Sequence, residues 1–293
     1  MAESSKQNSF KHIAVISHSR EGKAMALANE IAAFLEEQTL KANASYMHEE
    51  TTRQQLQAGD FDLVIALGGD GTMLRAGHIC APLDIPLLGI NQGHFGFLIE
   101  LEADEWRASL PRLASGDFRY EKRMLIHVEL WRGGKKQGEW EALNEALVGR
   151  GGLARPVHLE ATLDGRPLAT FVADGLIIAS ATGSTAYALA AGGPILPPQM
   201  RNMVLVPVAP HLSLDRAIVL DEGSAIRVEV KRGEDAVLSV DGQQSIEVKL
   251  GDHVELRASQ FNLRFLRFQE PGYFYQRLLA IMDNNPSADA VEP

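Results

Sequence analysis

The segment Gly68-Gly69-Asp70-Gly71-Thr72 has the residue types and spacing that most clearly suggest chemistry. It lies between an apolar run, Asp62 to Leu67, and a helix-like segment, Thr72 to Ile79. Glycines at such a turn let backbone N–H groups approach an anion, and the helix N-terminus adds a favourable dipole. The motif therefore predicts a phosphate cradle in which Asp70 is a candidate metal partner, general base or both. In the alternative interpretation, Asp70 only caps the helix of a tight turn.

Other segments carry polar groups suited to binding. Asn91 to Leu98 follows an apolar run, at the sheet end where open α/β folds place ligands, and its aromatic residues suit either a flat ring or a protein core. In Asn144-Glu145, an amide and a carboxylate are suited to two sugar hydroxyls. Asp174-Gly175 and Thr182 to Tyr187 add hydroxyls in a nearly neutral stretch, which suits a polar ligand or a buried turn that satisfies its own backbone.

Several standard signatures are absent from the sequence. It has no G-x-x-x-x-G-K-[ST], no H-E-x-x-H, no G-x-S-x-G and no Cys/His spacing typical of zinc. Gly149-x-Gly151-x-x-Ala154 imitates a dinucleotide fingerprint, but Pro156 follows and no helix is expected there. Any catalytic metal is therefore expected to be a hard cation held by oxygen atoms and substrate phosphates.

The elements that position these residues divide the chain in two. Apolar runs at His12 to Ser17, Asp62 to Leu67 and Ile85 to Ile90 alternate with helix-like segments, which predicts an α/β domain with an open, mainly parallel sheet over residues 1–117. Residues 118–269 carry short β-rich runs separated by turn signals and predict a β-rich, β-sandwich-like domain. Residues 270–293, with a helix-like start, are a candidate for return to the first domain.

Composition narrows the class of protein further. The 293 residues are 45% hydrophobic, which favours a folded globular protein of about two domains. A net charge of −10 argues against nucleic acid as a partner. Residues 1–11 lack the apolar core of a signal peptide, and the uncharged stretch 175–200 contains Pro197-Pro198, so we expect a cytoplasmic protein with no membrane partner. The lone cysteine, Cys80, fits a reducing compartment and is expected in the core.

Taken together, in this order and at these separations, the four polar segments and the Gly68 to Thr72 motif resemble the NAD kinase family, from about His12 to Leu278. The resemblance implies transfer of the γ-phosphoryl group of ATP to the 2′-hydroxyl of NAD, giving NADP and ADP. It also implies a divalent cation such as Mg²⁺ and a homodimer or homotetramer.

The same resemblance assigns roles to individual residues. Asp70 resembles the proton acceptor, whereas Gly68, Gly69 and Thr72 correspond to phosphate-binding positions for ATP. The positions that resemble the NAD site of the family are Asp70, Gly71, Phe97, Asn144, Glu145, Arg155, Asp174, Thr182, Thr185, Ala186, Tyr187, Ala188, Leu189, Ala190 and Gln244. Among these, Phe97 is expected beside adenine, and Asn144 with Glu145 at the ribose hydroxyls. The metal ligands are not assigned.

Two other functions are compatible with part of the pattern. A lipid kinase of the diacylglycerol or sphingosine type shares the GGDGT loop, but its acceptor pocket should be apolar, whereas Asn144-Glu145 and Thr182 to Tyr187 are polar. A dinucleotide-binding sensor without turnover would keep the pocket, but the presence of Asp70 argues for catalysis.

Overall fold

The protein is described by a computed structural model that covers residues 10–18, 22–92, 96–152, 155–211, 214–232, 236–243 and 245–283. The chain forms two compact units, Met1–Lys122 with Leu263–Pro293, and Arg123–Asn262. The boundaries expected from the sequence, 117/118 and 269/270, differ from these by a few residues at each crossing. The reason is that the chain leaves and re-enters the first unit inside two long strands rather than in loops.

The secondary structure alternates first and then becomes mostly β. In chain order the strands are β1 His12–Ser17, β2 Lys41–Tyr46, β3 Leu63–Leu67, β4 Leu87–Ile90, β5 Arg119–Arg132, β6 Lys135–Ala142, β7 Glu145–Arg150, β8 Val157–Leu163, β9 Arg166–Ala173, β10 Gly175–Ser180, β11 Asn202–Val208, β12 Ile218–Asp221, β13 Ile226–Arg232, β14 Ala236–Val240, β15 Ile246–Val248 and β16 His253–Arg267. The helices are α1 Gly22–Glu37, α2 Glu50–Gln57, α3 Asp70–Cys80, α4 Trp106–Ser109, α5 Pro111–Ser115, α6 Tyr187–Ala190 and α7 Tyr273–Asp283, with a 3-10 turn at Gly183–Thr185.

The first unit is built on a parallel sheet. Its strands run in the order β2-β1-β3-β4, all parallel, and the C-terminal end of β16 joins them where Phe265 pairs with Leu87. Every residue of β3 and β4 is buried, as expected for strands covered on both faces. The open, mainly parallel sheet predicted from the sequence is confirmed.

The apolar core of the first unit draws on both of its chain segments. Ile31 and Leu35 of α1 and Ile65 of β3 share one cluster with Leu266 and Phe268 from the C-terminal segment. The cluster therefore requires residues that are separated by most of the sequence.

The second unit contains antiparallel sheets. One has the order β12-β11-β10-β7-β14-β15, and in the other β13 pairs with β8 and with the N-terminal part of β16, while β9 pairs with β8. A single apolar cluster includes Phe171 and Val228 from one sheet and Ile178, Leu205 and Leu238 from the other. The β-rich, sandwich-like second domain is thus confirmed.

Cys80 ends α3 and is fully enclosed by the first unit, as expected of a core residue. Burial raises the pKa of its thiol to about 12, so the reactive thiolate is not formed near neutral pH. Among the described helices, none is both long enough and apolar enough to cross a bilayer.

Candidate functional site

The Gly68 to Thr72 segment joins the end of β3 to the start of α3. Gly68 donates its N–H to the carbonyl of Ile90, which ties the turn to the neighbouring strand β4 (3.0 Å). Gly69 is the N-cap of α3, and no side chain caps this helix end. The first turn of a helix leaves backbone N–H groups without intrahelical partners, so this end has the character of an anion site.

Asp70 is the first residue of α3, and its carboxylate is held by a distant loop. Its Oδ2 accepts a hydrogen bond from the N–H of Phe97 (2.8 Å), and its Oδ1 accepts one from the N–H of Leu98 (2.9 Å). Asp70 therefore does not cap the helix, and the capping alternative raised from the sequence is wrong. Two segments predicted independently thus meet at this carboxylate: Gly68 to Thr72, and the end of Asn91 to Leu98, of which residues 93–95 lie outside the described part of the chain.

Gly96 makes this arrangement possible by lacking a side chain. A Cβ at this position would lie 2.1 Å from Oδ1 of Asp70 and 2.6 Å from its Cγ, far inside van der Waals contact. Phe97, next to it, is half-buried with its ring centroid 6.2 Å from that of Phe274 in α7. The loop is thus packed close against the carboxylate.

In the second unit, Asn144 precedes β7 and Glu145 begins it, and the backbone of both is held by one carboxylate. The carboxylate of Asp241 accepts hydrogen bonds from the backbone N–H groups of Leu143 (2.7 Å), Asn144 (2.8 Å) and Glu145 (2.9 Å). The N–H of Asp241 donates in return to the carbonyl of Glu145 (2.9 Å). These bonds fix the backbone of the predicted ribose-binding pair.

Glu145 is a largely buried carboxyl group with unusual electrostatics. Burial, and secondarily the negative charge of Asp241, raise the pKa of Glu145 to about 7. Its Oε2 is buried and accepts no hydrogen bond from the part of the chain that the structure describes. Such an atom is suited to a polar group of a ligand, because a buried acceptor without a donor costs free energy.

Replacing Glu145 by Gln is expected to remove a loss of stability that the wild-type protein shows between about pH 5 and pH 7. The ordinary pKa of 4.5 describes the unfolded chain, whereas the folded protein holds the proton up to about pH 7. The stabilisation is therefore complete below the unfolded pKa and is lost as pH rises through the folded pKa, by about 3 kcal/mol at most. Urea unfolding of both proteins from pH 4.5 to 8 measures the difference.

Glu160→Gln is the control for this experiment, because Glu160 is a half-buried glutamate of β8 in the same unit whose carboxylate is paired with Lys231 (3.2 Å). Its profile should parallel that of the wild type. A Glu145→Gln profile that parallels the wild type would show that Glu145 does not carry the pH dependence.

Asp174 lies between β9 and β10 and is paired with a cation. Its Oδ2 is 2.9 Å from Nη2 of Arg150, at the end of β7, and both side chains are partly exposed. The backbone of Arg150 also donates to the carbonyl of Asp174 (2.9 Å). Arg150 thus both neutralises and positions the carboxylate of Asp174, one of the predicted NAD positions.

Thr182 to Ala190 forms the 3-10 turn and α6. Thr182 is buried, and its Oγ1 accepts a hydrogen bond from Nη1 of Arg123 (3.1 Å). Ala188 packs in the apolar core of the second unit, whereas Tyr187 is 43% exposed. The remaining predicted members, Thr185, Ala186, Leu189 and Ala190, are half-buried or exposed.

Arg155 and Gln244 are the last two of the predicted NAD positions. Arg155 is exposed in the loop before β8. Gln244 lies outside the described residues. Both assignments stay predictions.

Three positioning residues were not singled out from the sequence: Gly96, Asp241 and Arg150. The only available signal for Asp241 was its place before Gly242 in a turn, where Asp accepts hydrogen bonds from nearby backbone. Nothing local marks Gly96 or Arg150, since both act on residues from other parts of the chain.

The second unit also contains a cluster of side chains of the types that can bind a metal ion. Among the described residues, His127, Glu129 and Glu139 present donor atoms within 4.8 Å of one another. Lys136 pairs with both glutamates, and Arg257 with Glu129. Cationic side chains therefore already supply the positive charge in this cluster.

Comparisons with known proteins cover almost the whole chain. Residues 23–118 match the ATP-NAD kinase N-terminal domain, and residues 143–268 match the ATP-NAD kinase C-terminal domain. The NAD kinase of Chloroflexus aurantiacus is 39% identical over 271 residues, which is 92% of this chain and 98% of that protein. The NAD kinase of a Polaromonas species is 37% identical, covering 92% of this chain and 95% of that protein.

Two solved structures share the fold. A yeast NADH kinase complexed with NADH superimposes with a TM-score of 0.83 at 22% identity, covering 98% of this chain and 91% of that one. An NAD kinase from Archaeoglobus fulgidus in complex with ATP gives a TM-score of 0.73 at 24% identity, covering 92% and 98%.

Proposed function

The chain belongs to the NAD kinase family, and from this membership we propose that it transfers the γ-phosphoryl group of ATP to the 2′-hydroxyl of the adenosine ribose of NAD, giving NADP and ADP. The observation that carries the proposal is the carboxylate of Asp70, held by two amides at the uncapped start of α3. A base beside an anion site is what transfer of a phosphoryl group to an alcohol requires.

In this proposal Asp70 accepts the proton of the 2′-hydroxyl as the ribose oxygen bonds to the γ-phosphorus. The bond between that phosphorus and the β,γ-bridging oxygen breaks, and ADP leaves. A secondary hydroxyl is a weak nucleophile, so its alignment and the removal of its proton both matter. Each oxygen of Asp70 accepts one amide hydrogen bond, which orients the carboxylate while leaving a second lone pair on each oxygen.

We assign the phosphates of ATP to Gly68, Gly69 and Thr72. The support is the N-terminus of α3, which presents N–H groups and the positive end of the helix dipole. These groups stabilise charge on the phosphoryl oxygens by fixed dipoles.

The positions assigned to NAD follow the family resemblance. They are Asp70, Gly71, Phe97, Asn144, Glu145, Arg155, Asp174, Thr182, Thr185, Ala186, Tyr187, Ala188, Leu189, Ala190 and Gln244. The buried Oε2 of Glu145 supports a ribose contact, because a hydroxyl would supply the donor that this atom lacks among the described residues.

A divalent cation such as Mg²⁺ fits the donors of the first unit, since Asp70 offers carboxylate lone pairs beside the phosphate cradle. Asp70 and the phosphates of ATP would hold it. When bound, such a cation neutralises charge on the phosphoryl oxygens. By the same family resemblance we propose a homo-oligomer, dimer or tetramer, and a reducing, cytoplasmic compartment that fits the buried thiol of Cys80.

The experiment is an acceptor panel with the full chain, ATP and Mg²⁺. NAD, NADH, diacylglycerol and sphingosine are offered separately, and ADP and the phosphorylated product are measured. We expect ADP and NADP in equal amounts with NAD. A phosphorylated lipid would favour the lipid-kinase alternative, and NAD binding without ADP release would favour the sensor.

A further inference from the structure

The orientation of Asp70 depends on a short backbone segment. The N–H groups of Phe97 and Leu98 hold its two oxygens at 2.8 and 2.9 Å. A carboxylate anchored in this way moves with the segment that anchors it. The groups that fix this segment therefore also fix the proposed base.

A guanidinium holds the other side of the same segment. Nη1 of Arg267, the last residue of β16, donates to the carbonyls of Leu98 and Ile99, both at 3.2 Å. Arg277 of α7 also donates to the carbonyl of Ile99. Leu98 therefore connects the two side chains: its N–H donates to Asp70, and its carbonyl accepts from Arg267.

Arg267 is itself immobilised. Its side chain is fully buried, and its Nε lies 3.2 Å from Oε1 of Glu121. The guanidinium is 4.7 Å from the ring centroid of Phe265 and 5.2 Å from that of Tyr273, whose hydroxyl donates to the same Glu121 oxygen (3.2 Å). Few alternative positions remain for such a group.

Glu100 closes the network. Its Oε2 is 3.1 Å from Nη1 of Arg267, and its Oε1 accepts the N–H groups of Phe268 (2.7 Å) and Gln269 (3.0 Å). Glu100 directly follows the segment that Arg267 holds. The carboxylate therefore ties this segment to the chain that leaves β16.

Burying these charged groups costs free energy, and an apolar cluster of similar volume often stabilises a protein as well or better. Stability therefore does not explain the ion pairs of Arg267. The contacts that Arg267 makes with Leu98 and Ile99 suggest a role in positioning instead. We propose that Arg267 is a positioning residue for phosphoryl transfer, fixing Leu98 and Ile99 so that the amides of Phe97 and Leu98 aim the carboxylate of Asp70. This inference rests on the proposed function.

The test is a double-mutant cycle in the full chain with ATP, Mg²⁺ and NAD. Arg267→Lys keeps the charge but loses the planar fork. It should lower kcat by about 10- to 100-fold, the scale of a 1 Å misplacement, with KM for both substrates within about threefold. In an Asp70→Asn background the same change should have almost no further effect, because the two residues act as one unit.

Arg112→Lys is the matched control. Arg112 donates to the carbonyl of Phe268 (3.1 Å) and lies 4.9 Å from the centroid of that ring, so it supports the same C-terminal segment without touching Leu98 or Ile99. Its kcat should stay within about twofold of the wild type. Hydrogen exchange should speed up at Phe97 and Leu98 in Arg267→Lys and not in the control.

An unchanged kcat in folded Arg267→Lys, or an equal loss in both backgrounds or in the control, would overturn the inference. If Arg267→Lys does not fold, Arg277→Lys repeats the cycle on the second donor to Ile99, with the same outcomes. A wild-type chain that forms no NADP would instead refute the proposed function, so the two failures are distinct.

Discussion

Replacement of Asp70 by Asn is expected to lower kcat by about 10²- to 10⁴-fold, the range attributed to a general base. An amide has nearly the same shape as a carboxylate but does not accept the 2′-hydroxyl proton. NAD affinity should change much less. Steady-state kinetics gives kcat, and calorimetric titration gives the dissociation constant for NAD.

The chain offers a closely matched control. Asp62 precedes β3, whereas Asp70 follows it, and Asp62 also accepts two backbone N–H groups, from Lys11 (2.6 Å) and His12 (3.1 Å). Asp62→Asn therefore removes the same kind of hydrogen bond at the opposite end of the strand. It should reduce stability by a similar amount and leave kcat near the wild-type value. Near-normal turnover in Asp70→Asn would remove Asp70 from the chemistry.

Gly183→Ala is expected to raise KM for NAD at least about tenfold and to destabilise the protein by about 1–3 kcal/mol, the usual cost of overpacking. An added Cβ would lie 2.1 Å from the carbonyl oxygen of Asn144 and 2.7 Å from its Cα. These are backbone atoms, and Asp241 and Ser180 hold the same stretch by hydrogen bonds, so it has little room to shift. The clash therefore displaces the pair predicted to bind ribose.

Thermal unfolding and initial rates over a range of NAD concentrations measure the two effects. Gly22→Ala, in α1, is the control, because a Cβ there meets nothing within 4 Å. A Gly183→Ala enzyme with wild-type KM would show that the Asn144 backbone does not set NAD binding.

Much of the fold could be predicted because strands that are buried on both faces consist mainly of apolar residues. β1 and β3 are almost wholly buried and read as continuous apolar runs. β2, β6 and β9 gave no such signal, since most of their residues are half-buried or exposed and many are polar. Their pairing comes from tertiary structure rather than from local pattern.

The site was predicted in pieces. Local chemistry identified Gly68 to Thr72 and Asn91 to Leu98 as separate loops, but the bonds between them join residues 27 and 28 positions apart, which no local pattern encodes. The role of Arg267 could not be predicted from the sequence for a different reason. An arginine in a strand is normally expected to be exposed, and the full burial of Arg267 depends on two acids that are distant in sequence, Glu100 and Glu121.

The first unit contains residues from both the N-terminal and the C-terminal part of the chain, so it cannot be completed early in synthesis. A nascent chain that has emerged only to Asn262 contains the Gly68 to Thr72 turn but lacks Arg267, Phe268 and α7. Such a chain cannot yet complete the core to which Leu266 and Phe268 contribute. The support of the nucleotide cradle is therefore completed only after residues 263–283 have been synthesised, and a chain truncated before them lacks the hold of Arg267 on Leu98 and Ile99.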